Sequence, residues 1–414
     1  MRILIINQYY YPDIAATAQL CADLAEDLVR RGHQVTVVAG TAAYRIAHDG
    51  GQPLPSVHLR LRDEHRGVRI VRVPMPPLGG EGLAGRALGF VAFLAGALVR
   101  VLTEERPDVV MALSTPPLVA ALGLVLQALR GCRLVYWVQD VYPDLAIRLG
   151  VMRSDGAAAR LLAALSQQIC QRADLIVALD VAMAARLRSH GAPPERIHVV
   201  DNWCDATEVV PQAPEDNPLR RSLGLGATFT VGYAGNLGRG HDFTTVLSAL
   251  LRLDQEPIEW LFIGDGPQRA WVQEQARGLS RVHFLPPQAR CRLRDVLTAG
   301  DVGLVTLEAG LDGLLVPSKL YGLLAAGRPV LYVGPPAGRV AELLREEEIG
   351  ESVRNGDVAG LIAAVRRLGA NPTLRARMGQ RARALFEQAF TRELATARHA
   401  ALLERILDHR EGGP

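Results

Sequence analysis

Short apolar runs alternate with stretches of helical spacing along almost the whole chain. Ile3 to Ile6 is continuously apolar, as a parallel strand buried on both faces requires. After a turn through Pro12 and Asp13, apolar residues recur at Ala18, Cys21, Ala22, Ala25, Leu28 and Val29, which is one face of a helix. Glu26 with Arg30, and Asp27 with Arg31, are spaced as favourable pairs on its exposed side. Gly32 stops the helix, and Gln34 to Val38 reads as the second strand, completing a β–α–β unit.

The rhythm continues with strands expected at Val109 to Leu113, Leu134 to Val138, Leu175 to Ala178 and Ile197 to Val200. Val68 to Val73 reads as a strand nearer a sheet edge, because Arg69 and Arg72 interrupt it. Pro211 to Pro218, rich in turn formers, breaks the pattern and is the natural linker. A second series follows: Phe229 to Ala234, Glu259 to Ile263, Val282 to Leu285, Val302 to Leu307 and Val330 to Val333. Strands alternating with helices in this way imply doubly wound parallel sheets, here twice in tandem. We divide the chain into a first lobe over 1–205, a second over 206–389, and a terminal helix over 390–414 with Leu402, Leu403, Ile406 and Leu407 on one side.

Composition narrows the class. The chain has 414 residues, 49% hydrophobic and 21% charged, enough to bury large cores and far from the profile of disorder. A net charge of +3, with the basic residues scattered, gives no footprint for nucleic acid. The five cysteines lie far apart without a Cys-x-x-Cys pair, which suggests buried thiols in a reducing compartment. The first residues read as a strand and not as a signal peptide. Ala87 to Val99 lacks charge but is too short to cross a bilayer; Val109 to Leu129 is long enough, but Thr115-Pro116-Pro117 divides it into strand, turn and buried helix.

Ligands of open α/β sheets bind beyond the carboxyl ends of the strands, so the loops there carry the candidate chemistry. Gly232 to Gly240, with Gly235, Asn236 and Arg239, lets backbone amides approach an anion and adds a cation; equally it is a turn that lets strand and helix pack. Phe262-Ile263-Gly264-Asp265-Gly266-Pro267 ends another strand in a tight glycine turn. Pro317-Ser318-Lys319-Leu320-Tyr321 puts a serine N-cap and a lysine at a helix start, where amides, hydroxyl and ammonium can converge on phosphate; a merely capped, solvated helix start fits the same residues. No Asp-x-Asp motif or histidine cluster points to a metal.

Ser318 to Tyr321 with Ala325 to Val330, and Phe262 to Pro267, resemble the donor-site motifs of retaining glycosyltransferase family 4. Tyr9 to Asp13, Arg31 to Val38 and Trp137 to Asp144 are similar too, and the likeness is strongest to the fucosamine-transferase-like branch of bacterial surface-polysaccharide enzymes. The resemblance implies a GT-B fold: α/β, two tandem Rossmann-like doubly wound domains facing a central cleft, with the terminal helix crossing back to the first. It implies transfer, with retention, from a nucleotide-diphosphate sugar (a UDP-sugar, with an N-acetylated amino sugar as one option) to a glycan or polyprenyl-diphosphate-linked acceptor. No cofactor and no metal ion are expected, and the setting would be cytoplasmic, at the inner face of the membrane.

Carried over by position, Gly235, Asn236, Gly264, Gly266, Pro317, Ser318, Leu320 and Tyr321 would hold the donor, and the strand end at Phe284 and Leu285 would meet the base. Lys319 and Arg239 would stabilise the leaving diphosphate. Asp13, Ala15, Ala16 and Thr17 would face sugar and acceptor, and Asp140 would orient the acceptor hydroxyl or stabilise oxocarbenium charge, or else serve as a capping aspartate before Pro143. The family's usual glutamate pair falls at Leu314 and Gly322, neither acidic; Glu308 and Asp312 are the nearby acids. Arg86 and Arg100 bracket Ala87 to Val99, suited to shallow interfacial burial through Phe90 and Phe93, or to packing within the lobe. A GT-B epimerase and a non-catalytic nucleotide-sugar binder remain as alternatives, and oligomeric state has no signature in the sequence.

Overall fold

The computed structural model describes residues 1–13, 15–41, 61–75 and 83–411, except the side chains at 83, 84, 86, 87 and 408–411. Eight strands build the first sheet: β1 (Arg2–Ile6), β2 (Gln34–Gly40), β3 (Arg62–His65), β4 (Val68–Val73), β5 (Val109–Ala112), β6 (Arg133–Trp137), β7 (Leu175–Ala178) and β8 (Ile197–Val199). Their order is β3-β4-β2-β1-β5-β6-β7-β8, and every pairing but β3–β4 is parallel. The second sheet has six parallel strands: β9 (Phe229–Ala234), β10 (Ile258–Ile263), β11 (Val282–Leu285), β12 (Val302–Thr306), β13 (Val330–Val333) and β14 (Gly350–Val353), ordered β11-β10-β9-β12-β13-β14. In both sheets the order reverses beside the strand that starts the series, β1 or β9, which opens a crevice at its carboxyl end.

The apolar run of β1 is buried on two faces, Leu4 and Ile6 in one core and Ile3 and Ile5 in another. The first of these cores continues into the second lobe through Leu314, Leu320, Tyr321 and Tyr332, so the lobes share packed surface. Two strands have no apolar signature. β3, Arg-Asp-Glu-His, is an exposed antiparallel edge that caps β4, and β14, Gly-Glu-Ser-Val, closes the far edge of the second sheet.

The exposed pairs expected on the first helix, Ala16–Arg30, do not form. Glu26 and Asp27 are 5% and 4% exposed, because the helix Arg392–Glu411 lies against them. Arg392 meets Asp27 at 2.6 Å, Glu26 at 3.0 Å, Asp23 at 3.1 Å and Asp205 at 3.3 Å. Leu402 and Leu403 complete the same core. Among the described residues no helix is long and apolar enough to cross a membrane, and Val109 to Leu129 divides into β5 and the helix Ala120–Arg130.

Candidate active site

The carboxyl ends of the two sheets face each other across a cleft of ≈ 530 Å³. From the first lobe it is lined by Ala15, Ala16 and Thr17 after β1, Asp140 after β6, and Trp203 to Asp205. From the second come Gly235, Asn236 and His241 after β9, Gly264 and Asp265 after β10, Pro287 to Arg290 after β11, and Leu315 to Lys319 with Gly322. Loops far apart in sequence converge because parallel strands all present the same end to one edge.

Two glycines let the β9 and β10 loops touch. Gly264 has φ +146°, and a Cβ there would stand 1.9 Å from the Gly235 carbonyl oxygen. Gly235 has φ +128°, and its missing side chain leaves room for Lys319, whose Cε would lie 3.1 Å from a Cβ. The loop beyond is fixed by Gln268, whose amide donates to the carbonyls of Gly238 at 2.6 Å and His241 at 3.0 Å. Asp242 then caps the helix Phe243–Arg252, accepting from the Thr245 amide at 2.9 Å.

The lobes are bound at this cleft. Asp140 pairs as an isolated bridge with Leu315, and the Val141 amide donates to the Leu314 carbonyl at 2.8 Å. Arg290 reaches across to Asp23 at 3.1 Å and pairs with Glu208 of its own lobe at 2.9 Å.

Comparison with known proteins agrees with this architecture. Residues 16–203 match the family model described as a glycosyl transferase 4-like domain, and residues 228–371 match glycosyl transferases group 1. WbjE of Pseudomonas aeruginosa, named as a glycosyltransferase, is 30% identical over 279 residues, 67% of this chain and 70% of that one. The chain belongs to the GT-B glycosyltransferases. WcaI of Escherichia coli, named for colanic acid biosynthesis, is 25% identical over 88% of this chain and 91% of its own. Anabaena HepE, solved with UDP-glucose, shares the fold with a TM-score of 0.72 at 19% identity, over 98% of this chain and all of that one.

Within this transferase the expected site residues separate into two groups. Gly235, Asn236, Gly264, Pro317, Ser318, Lys319, Asp140, Ala15, Ala16 and Thr17 line the cleft. Arg239, Gly266, Phe284, Leu285, Leu320, Tyr321 and Asp13 do not. Arg239 is exposed, on the part of its loop beside Gln268's anchors. Gly266 packs against Asn236 and Leu237. Phe284 stacks on Phe262 at 5.2 Å, and the Leu285 carbonyl accepts from Gly264 at 3.0 Å, so the lining begins only at Pro287. Leu320 and Tyr321 are on the buried side of the helix Lys319–Ala325, Tyr321 donating to Asp201 at 3.3 Å. Asp13 is buried and accepts from the Ala15 amide at 2.9 Å, shaping the loop from behind.

Ser318 occupies the N-cap position with helical dihedrals, and its hydroxyl makes no capping bond. Gly322 faces the cleft, but a Cβ there would stand 2.9 Å from Leu297 Cδ1, so a glutamate does not fit without moving that leucine. Leu314 is buried, and neither Glu308 nor Asp312 reaches the lining.

Burial alone moves the two central charges. It pulls the Lys319 ammonium down to about 7 and pushes the Asp140 carboxyl up to about 6. His241, absent from the sequence reading, stands beside Lys319: its Nε2 lies 3.0 Å from Nζ, and its Nδ1 donates to the Thr306 carbonyl at 2.7 Å. One signal was available in the sequence: Lys319 is the single lysine among 46 lysines and arginines. Among the described residues no group of three or more His, Cys, Asp or Glu side chains is placed to hold a metal ion.

Proposed function

We propose that this transferase moves a sugar, with retention, from a nucleoside-diphosphate donor, UDP-linked as the first choice, to a surface-polysaccharide acceptor. The carrying observation is one cleft with glycine loops and a single lysine on one wall and Asp140 on the other. Cleavage of the sugar–phosphate bond develops negative charge on the diphosphate, and a preorganised ammonium stabilises it. Lys319 takes that role, with the amides around Gly235 and the free Ser318 hydroxyl beside it. Asp140, opposite, steadies the positive charge developing on the sugar or aligns the acceptor hydroxyl. The UDP-glucose bound by HepE and the colanic acid role in the name of WcaI support the donor and acceptor classes.

Thermal shift with UDP, GDP, ADP and dTDP sugars tests the donor: stabilisation by one of them names the base, and no response to any sinks the reading. Lys319→Ala is expected to cost about 10- to 100-fold in UDP affinity, the worth of one charged hydrogen-bonding group.

For a lipid-linked acceptor, the supporting feature is the helix Leu83–Thr103. Phe93, Ala97 and Val101 are fully buried in the lobe, so Phe93 is not free to insert into lipid. The outer face instead exposes Leu88, Val91 and Val99, near Arg100; the side chain of Arg86 lies outside the described residues. Wild-type protein is expected to sediment with phosphatidylglycerol vesicles at low salt and the Val91→Glu, Val99→Glu variant to stay in solution. Absence of wild-type binding overturns the membrane contact.

A further inference from the structure

Lys319 is held in a way that arginine could not copy. Its stem passes over Gly235, its Nζ sits 4.8 Å from the centre of the Tyr233 ring, and His241 Nε2 is 3.0 Å away. Tyr233 is itself fixed, its hydroxyl donating to the Asn236 carbonyl at 2.6 Å. A planar guanidinium spreads its donors in a fixed fork, which a single acceptor such as His241 Nε2 does not match. In a chain whose other basic residues are all arginines, this one position keeps lysine.

The tautomer of His241 follows from its partners. The Thr306 carbonyl can only accept, so Nδ1 carries the proton; burial, aided by the Lys319 charge, keeps the ring neutral. Nε2 is then a lone pair aimed at Nζ. Among the described residues, the cleft carboxylates Asp23, Asp140, Asp205, Glu208 and Asp265 make no ion pair with Lys319.

We propose that His241 is a positioning residue for donor binding: an uncharged acceptor that fixes the Lys319 amino group at the cleft wall without neutralising it. A carboxylate in its place would hold the ammonium equally well but would satisfy its charge. An apolar residue would leave both the charge and the geometry unsupported. The imidazole provides direction and leaves the charge for a diphosphate. The proposal rests on the donor role given to Lys319 above.

Because there is one lysine, protein grown on lysine carrying ¹³C at Cε yields one side-chain resonance, which reports Lys319 directly. Its titration and the UDP dissociation constant at pH 7 are measured for wild type, His241→Leu, His241→Gln and His241→Glu. In His241→Leu we expect UDP affinity to fall at least about tenfold and Lys319 to titrate lower than in wild type, since its ammonium has lost an acceptor. Gln, whose amide oxygen reaches about as far as Nε2, restores affinity to within about threefold. Glu raises the Lys319 titration yet binds UDP more weakly than Gln.

Wild-type affinity and an unchanged lysine titration in His241→Leu overturn the proposal. So does UDP binding as tight in Glu as in Gln, a comparison that stands even if the leucine variant fails to fold. Lys319→Ala separates the two readings. Wild-type UDP affinity in that variant removes the donor role of Lys319 itself, whereas weak binding there with normal binding in His241→Leu removes only the role of His241.

Discussion

The two walls of the cleft carry mirrored charge economies. On the second-lobe wall, Arg290 is committed to Asp23 and Glu208, while Lys319 has no ionic partner among the described residues. On the first-lobe wall, Asp23 is committed to Arg290 and Arg392, while the Asp140 carboxylate makes no ion pair among the described residues. Each lobe thus contributes one charge that ties the halves together and one that is left desolvated and unpaired. Partnered charges hold geometry and are already satisfied; unpartnered ones cost stability and can act on a substrate.

That division can be broken at four points. The largest loss is expected from Asp140→Asn, with turnover falling about 100-fold or more while UDP affinity stays near wild type. A loss in affinity instead of turnover would move Asp140 into donor binding. Next comes Lys319: Lys319→Arg, which keeps charge but not shape, is expected to recover less than half of the affinity lost in Lys319→Ala by calorimetry.

Proton linkage gives the third test. With Lys319 titrating near 7 in the free protein, an anionic diphosphate favours its charged form. Below pH 7 the charge is already present, so UDP affinity is expected to be flat there and to decline as pH rises to 9; a rising profile would contradict the role. For Asp140 the sign concerns stability. A carboxyl raised from 3.8 to about 6 binds its proton more tightly folded than unfolded, so it subtracts stability as pH climbs through that window. Asp140→Asn should therefore raise the melting temperature at pH 8 and leave it nearly unchanged at pH 4. The smallest effect belongs to a partnered charge at the rim: Arg290→Gln is expected to cost about 1 kcal/mol in urea denaturation, with UDP affinity within twofold.

What the sequence showed, it showed through periodicity. Twelve of the strands were legible because apolar runs in a parallel sheet are self-announcing. β3 and β14 were not, since edge strands made of Arg, Asp, Glu and Ser are stabilised by pairing with a neighbour and carry no local pattern. Glu26 and Asp27 looked like solvated helix residues because their true partner is Arg392, 365 or more positions away. Within the site, Ser318 and Lys319 were found from chemistry at a helix start, whereas Leu320 and Tyr321 were carried along by adjacency, although a short helix turns them into the core. Arg239 had the right charge on the right loop, but the exposed stretch it occupies points to solvent; His241, two residues on, is the side chain brought to the lysine.

The knot around Arg392 also bears on the order in which the protein can be made. Asp23, Glu26 and Asp27 are synthesised 365 or more residues before their shared counter-ion Arg392. Until then three carboxylates share the first helix with Arg30, Arg66 and later Arg290 as their nearest cations. Removing one partner of such a buried cluster costs about 3–5 kcal/mol. The first lobe is therefore completed only after the second has been translated, and a nascent chain stalled short of residue 392 would hold an unfinished domain.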